Sequence, residues 1–201
     1  MYDNDLVADK LRRWKQYLES YHLPAWEEIP DIGLYMEQVV QILKLWLDYL
    51  PPELKEEQFI TASTVNNYVR TKIMPMPVKK KYYRVHIAYL LIICTLKQGL
   101  SLSLIQRLLP GNLTEKELKP VYTAYVNRHG AAARYFCQQV SCAASPLLGE
   151  ENDYPLSADR VEDLVASSAV IGAFSRLFAE KLLLLEGMTP ETEKKSNKEG
   201  T

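Results

Sequence analysis

Residues 60–109 read ITASTVNNYVRTKIMPMPVKKKYYRVHIAYLLIICTLKQGLSLSLIQRLL. Their reading decides the fold. Thr61 is a helix start, because its hydroxyl can accept from a backbone N–H that the first turn leaves unsatisfied. The spacing predicts a helix over 61–71 with Val65, Tyr68 and Val69 inward and Ser63, Thr64, Asn66, Asn67 and Arg70 outward. Pro75 and Pro77 lead into a basic connector, Val78–Arg84. An almost wholly apolar helix follows, Val85–Leu96, whose lack of a polar face predicts burial on several sides. Ser101 then caps a short Leu-rich helix over 102–109, stopped by Pro110-Gly111.

Charge sets this stretch apart from its flanks. The chain of 201 residues has a formal net charge of −1. Between Glu57 and Glu115 there is no acidic residue, and the interval holds Arg70, Lys72, Lys79, Lys80, Lys81, Arg84, Lys97 and Arg107. A near-neutral chain therefore conceals a basic segment between two acidic ones. Clustered cations attract polyanions, and phosphate neutralisation with counterion release is the usual source of nucleic-acid affinity. The alternative use of the lysines is a solvated turn that discourages unwanted strand pairing.

Outward from this segment the periodicity is helical throughout. Leu6, Leu11, Trp14, Tyr17 and Leu18 mark a first helix over 4–20. HLPAWEEIPDIGL is an irregular connector pinned by Trp26 and Ile29. Asp31 is the expected cap of a helix from Leu34 to about Tyr49, ended by Pro51-Pro52. Thr114-Glu115-Lys116-Glu117 is a capping box. The helix it starts is predicted to reach about Ala144, with Val121, Tyr125, Ala132, Phe136 and Val140 on its buried face and Pro120 and Gly130 as points of interruption. Ser157 caps a last helix over 158–185, where Val161, Leu164, Ser168, Ile171, Ser175, Phe178, Leu182 and Leu185 follow a heptad register. It either folds back on 114–144 as a hairpin or pairs with a second copy. The tail from Gly187 has no apolar pattern and is expected to be disordered. The expected division is residues 1–111, a helical region over 112–186, and the tail.

The order of landmarks resembles the DNA-binding half of MerR-type regulators, a winged helix-turn-helix. The resemblance rests on Thr61, Ile73-Met74-Pro75, Lys79-Lys80-Lys81-Tyr82, His86-Ile87 and Gly99-Leu100-Ser101 leading into Leu104, Ile105, Leu108 and Leu109. Lys80 falls on an arginine of that pattern and Tyr82 on the wing's last aromatic. Lys72 stands where the family has glycine, and the wing has no glycine at its turn. More narrowly, PAWEEIPDIGLYMEQV and KKKYYRVHIAYLLIICTLKQ are similar to an uncharacterised family of Firmicute proteins defined only as a domain of unknown function. The fold implied is all-α, with a winged helix-turn-helix core, extra N-terminal helices and a long C-terminal helical hairpin. The implied DNA-binding residues are Ser63, Thr64, Asn66, Asn67, Tyr68 and Arg70 on the reading helix, with Lys79, Lys80, Lys81 and Arg84 on the wing. Tyr68 enters because the family's aromatic pair falls on Asn67-Tyr68. The resemblance also implies dimerisation through 158–185.

No catalytic or metal-ligating set is legible. His22, His86 and His129 are far apart, Cys94, Cys137 and Cys142 lack CxxC spacing, and no phosphate loop, dinucleotide fingerprint or nucleophile elbow occurs. The expectation is a non-enzymatic, cofactor-free cytoplasmic protein with reduced thiols and no membrane span. Two functions compete: a transcriptional regulator that binds double-stranded DNA, and a helical protein-interaction module that keeps the core without binding DNA. A ligand pocket lined by Tyr122, Tyr125, Tyr135 and Phe136 is the weakest reading, since aromatic core is the commoner use.

Overall fold

The structure, a computed structural model, describes residues 3–48, 60–150 and 153–184. Within these residues every regular element is helical: α1 (Asn4–Ser20), a 3-10 turn (Trp26–Glu28), α2 (Met36–Trp46), α3 (Ala62–Arg70), α4 (Arg84–Leu96), α5 (Leu102–Leu108), α6 (Glu115–Ala143), α7 (Ser145–Leu148) and α8 (Val161–Leu184). The all-α class expected from periodicity holds. The end of the helix expected at Tyr49, the acidic stretch after Pro51-Pro52, Leu185 and the tail from Gly187 lie outside the described residues.

The core forms around α4. Ten consecutive residues, His86–Thr95, are buried, which only a helix covered on all sides can achieve. Each buried Leu or Ile contributes roughly 1.5–3 kcal/mol. Around α4 sit Leu23, Trp26 and Ile29 of the connector, Val39 and Leu43 of α2, Val65 and Tyr68 of α3, Ile105 of α5, and Leu118 and Tyr122 of α6. This single core crosses residue 111, so the first half of α6 packs with the N-terminal helices rather than beginning a separate unit. Trp26 and Ile29 anchor the connector as their apolar character predicts.

Helix starts follow local chemistry, with corrections. Thr61 Oγ1 accepts from the Thr64 N–H at 3.1 Å, as expected. Glu117 accepts from the Thr114 N–H at 2.8 Å and from its hydroxyl at 2.6 Å, which gives the carboxylate half of the capping box. These bonds hold the Glu117 carboxyl below the usual carboxylate range. Asp31 does not cap α2. That helix starts two residues later than expected, and the Gln38 side chain accepts from the Tyr35 N–H at 2.9 Å. Asp31 faces Arg84 instead, at 3.7 Å.

Two expectations for the C-terminal half fail. The helix α6 runs unbroken through Pro120 and Gly130, and its buried stripe is Leu118, Tyr122 and Cys137, with Val121 and Phe136 exposed. Tyr125 of the expected face does pack against the core, its hydroxyl 2.5 Å from Thr95 Oγ1, but the buried positions on either side of it are Tyr122 and Cys137 where Val121 and Phe136 were expected. The long hairpin does not form. Val161 and Leu164 sink into the chain, Leu164 in a small cluster with Ala144 and Ala158, but all residues of α8 from Ser168 to Phe178 are exposed.

Candidate nucleic-acid interface

Helix α3 is held by its apolar side. Val65 and Tyr68 are buried, Tyr68 with only 5 % of its surface exposed. Its phenol lies toward Cys94, and burial pushes its pKa up. Three residues from Val65, Tyr68 belongs to the same inward stripe, so most of its ring is core and only an edge of it reaches the surface beside α3.

The opposite side of α3 stays open. Ser63, Asn66 and Arg70 are exposed, and Thr64 and Asn67 are half-buried. Arg70 Nη2 donates to Asn67 Oδ1 at 2.9 Å, one turn back, which aligns the guanidinium along the helix. Because α3 packs toward the end of α4 that carries Cys94, the residue closing α4, Lys97, arrives beside this polar row. Ser63, Thr64, Asn66, Asn67, the edge of Tyr68, Arg70 and Lys97, with Leu102 of α5, line an open depression of about 530 Å3. Among the described residues its lining holds two cations and no carboxylate. Lys97 was legible as part of the acid-free segment, yet nothing in one dimension placed it next to α3.

The connector after α3 forms a tight hairpin. Val78 and Lys81 exchange both backbone hydrogen bonds at 3.0 Å, and Leu34 and Tyr82 exchange theirs at 2.8 Å. The two turn residues, Lys79 (φ 50) and Lys80 (φ 64), are left-handed, which is the type I′ geometry that the right-handed twist of paired strands favours. Both side chains are exposed. His86, buried at the first turn of α4, fixes the base of the hairpin. Its Nδ1 accepts from the Tyr83 N–H at 3.0 Å, and its Nε2 then donates to the Met76 carbonyl at 2.9 Å.

Not every expected wing residue is presented outward. Lys81 is half-buried, with its ammonium 5.3 Å from the centre of the Tyr35 ring and its stem against Gly33. Arg84 is an internal fastener, 20 % exposed: Nε donates to the Ile29 carbonyl at 2.9 Å and Nη1 faces Asp31. Its assignment to the interface is withdrawn. The first turn of a buried helix draws a long side chain back onto the connector beneath it. The hairpin lysines do not line the depression beside α3; the α3 row and the hairpin tip are two separate polar features.

The other chemistry considered from the sequence is accounted for by packing. Tyr122 is core, while Tyr135 and Phe136 are exposed, the latter edge-on to Trp14 at 5.7 Å between ring centroids. These rings do not converge on a pocket. The three cysteines are free thiols, and burial pushes Cys94 well above the ordinary thiol range. Among the described residues no three His, Cys, Asp or Glu side chains group as a metal would need. Nor is any helix among them long and apolar enough to cross a membrane.

Comparison with protein families matches residues 24–126 to a domain of unknown function, DUF1836. No curated protein and no solved structure matches the chain. The matched span opens at Pro24, which accepts a hydrogen bond from Tyr122 at 2.8 Å, and closes four residues after that tyrosine. It thus contains the whole α2–α5 arrangement and the part of α6 that packs on it. Since the match covers just over half of the sequence, the chain belongs to the DUF1836 family.

Proposed function

We propose that this protein is a DNA-binding transcriptional regulator whose residues 60–109 work as a winged helix-turn-helix. The observation that carries the reading is the open face of α3: hydroxyls, carboxamides, Arg70 and Lys97 share one depression whose lining, among the described residues, has no acidic side chain. Asn66 and Asn67 are suited to adenine edges, Ser63 and Thr64 to phosphate oxygens, and Arg70 to guanine or phosphate. The lysine hairpin plays the wing and contacts the backbone beside the groove.

A dimer through α8 completes the proposal. Val170, Ile171, Phe174, Leu177, Phe178 and Leu182 are exposed along one helix, Phe174 at 66 % and Phe178 at 65 %. With about 150–200 Å2 for each residue, these exposures leave on the order of 600 Å2 per chain, somewhat below the roughly 800 Å2 per partner of a standard interface. A second copy is the occupant we propose, because Ile171, Phe178 and Leu182 of this face fall in the heptad register and Val170, Phe174 and Leu177 widen the same stripe.

The test is fluorescence anisotropy with random-sequence duplex DNA over a salt series. Binding should weaken steeply with salt, and Arg70→Ala with Lys97→Ala should flatten the slope by about 2. Arg84→Gln, whose side chain is committed to Ile29 and Asp31, should leave the slope unchanged. Salt-independent binding, or none, refutes the reading. Absence of DNA binding together with a dimer held by α8 would favour the protein-interaction module.

A further inference from the structure

Backbone pairing lays three extended segments side by side below the hairpin tip. Leu34 pairs with Tyr82, and Val78 with Lys81. The next rung, between Met76 and Tyr83, is spanned by the His86 ring, which accepts from the Tyr83 N–H and donates to the Met76 carbonyl. Paired residues share a face, and successive residues alternate between faces. Leu34 and Tyr82 are buried, so Gly33, Tyr35, Lys81 and Tyr83 lie on the outer face, joined there by Val78 and Met76. Tyr35, Met76, Val78 and Tyr83 are exposed. Gly33 is the floor between them: a Cβ there would stand 2.7 Å from Lys81 Cδ and 3.1 Å from Tyr83 Cζ. The Lys81 stem therefore crosses the glycine, with its ammonium 5.3 Å from the centre of the Tyr35 ring. Two phenol rings flank one cation. None of the six residues is acidic. Asp31, at the end of the first segment, faces Arg84 at 3.7 Å, and Glu37 lies along α2 with Gln41 and Leu45.

We propose that this face binds single-stranded DNA, with unpaired bases stacked on Tyr35 and Tyr83 and a phosphate drawn to Lys81. The cation and the lack of carboxylates select a polyanion. The exposed rings select one whose bases present open flat faces, which a duplex keeps inside its own stack. Met76 and Val78 give apolar contact to thymine methyl groups. An added peptide strand fits the ribbon poorly. Pro75 and Pro77 hold the two outer-edge positions whose N–H groups would point away from the hairpin, and the Tyr35 N–H is taken by Gln38. The site does not rest on the duplex reading, because the depression beside α3 contains none of these six residues.

The experiment is fluorescence anisotropy of the whole chain with labelled single strands of about 12 nucleotides at about 50 mM salt. Oligo(dT) should bind roughly 10-fold more tightly than an abasic strand of the same length, which offers phosphates without bases. Tyr35→Ala and Tyr83→Ala should each weaken oligo(dT) binding on the order of 10-fold and leave abasic binding unchanged. Tyr35→Phe and Tyr83→Phe, which keep the ring, should stay within about 2-fold of wild type. Arg70→Ala with Lys97→Ala should change oligo(dT) binding as little. The abasic comparison uses wild type alone, so it stands even where a truncation lowers Tm. Equal affinity for the abasic strand and oligo(dT) overturns the proposal. So does a larger loss from the Arg70 and Lys97 changes than from the tyrosine truncations, since the strand would then lie beside α3. Oligo(U) bound more tightly than oligo(dT) overturns the assignment to DNA. Binding to phosphatidylglycerol vesicles without binding to oligo(dT) overturns the nucleic-acid ligand. Duplex binding by a protein that ignores oligo(dT) overturns this site and leaves the duplex reading standing.

Discussion

The Tyr122 hydroxyl donates to the Pro24 carbonyl at 2.8 Å, joining residues 98 positions apart, and the Trp26 ring stands edge-on to Tyr122 at 5.8 Å between centroids. Beside it Lys119 pairs with Glu27 at 2.8 Å. The ends of the family-defining span are thereby closed on each other. The buried hydrogen bond matters more than the exposed ion pair, because its loss leaves a carbonyl without a partner in a dry site. Tyr122→Phe should destabilise the protein by about 1–2 kcal/mol, read as a lower urea midpoint with unchanged slope. Lys119→Ala should change the midpoint little.

Gly111 lies against the turn after α3. A Cβ placed there would stand 2.2 Å from the Lys72 carbonyl oxygen and 2.9 Å from the Ile73 carbonyl carbon. Both contacts are backbone, so neither can swing away. Gly111→Ala should cost about 2 kcal/mol or more. Since it displaces the end of α3, DNA affinity should fall as well. A variant as stable as wild type would mean the two turns separate freely.

Stability should fall on mild acidification because of His129. Burial lowers its pKa below the ordinary 6.5. As pH drops, the unfolded chain takes up the proton before the folded one does, so the stabilising effect is complete above about 6.5 and declines below it. Urea midpoints at pH 7.5 and 5.5 should differ for wild type and differ less for His129→Gln. Glu27 and Glu117, whose pKa values are lowered by Lys119 and by Thr114 respectively, act in the opposite range: their contribution is lost only on going below the usual carboxylate pKa.

Phe174→Asp with Phe178→Asp should leave the core intact, since both side chains are exposed. Sedimentation should then show a monomer where wild type is a dimer, with an unchanged Tm at low concentration. A wild-type monomer at micromolar concentration would remove the second copy as the occupant of α8.

The sequence alone determined which helix is central and where α3 and α6 start, at Thr61 and Thr114. It did not determine the starts of α2 and α8, which begin two residues after the expected Leu34 and three after the expected Ala158. An apolar run of a dozen residues, too long for an ordinary strand, marks a helix buried on all sides, a Thr-x-x-Glu box names its own N-terminus, and the acid-free interval isolates the basic segment. These are local properties, carried by neighbours within a turn or two. Tertiary packing decided the rest. It turned Tyr68 and Arg84 inward and brought Lys97 from the far end of α4 beside α3. It left α8 without the hairpin partner its register suggested, and it imposed left-handed backbone on Lys79 and Lys80. Each depends on what approaches from elsewhere in the chain, and side-chain spacing along one element cannot encode which neighbour arrives.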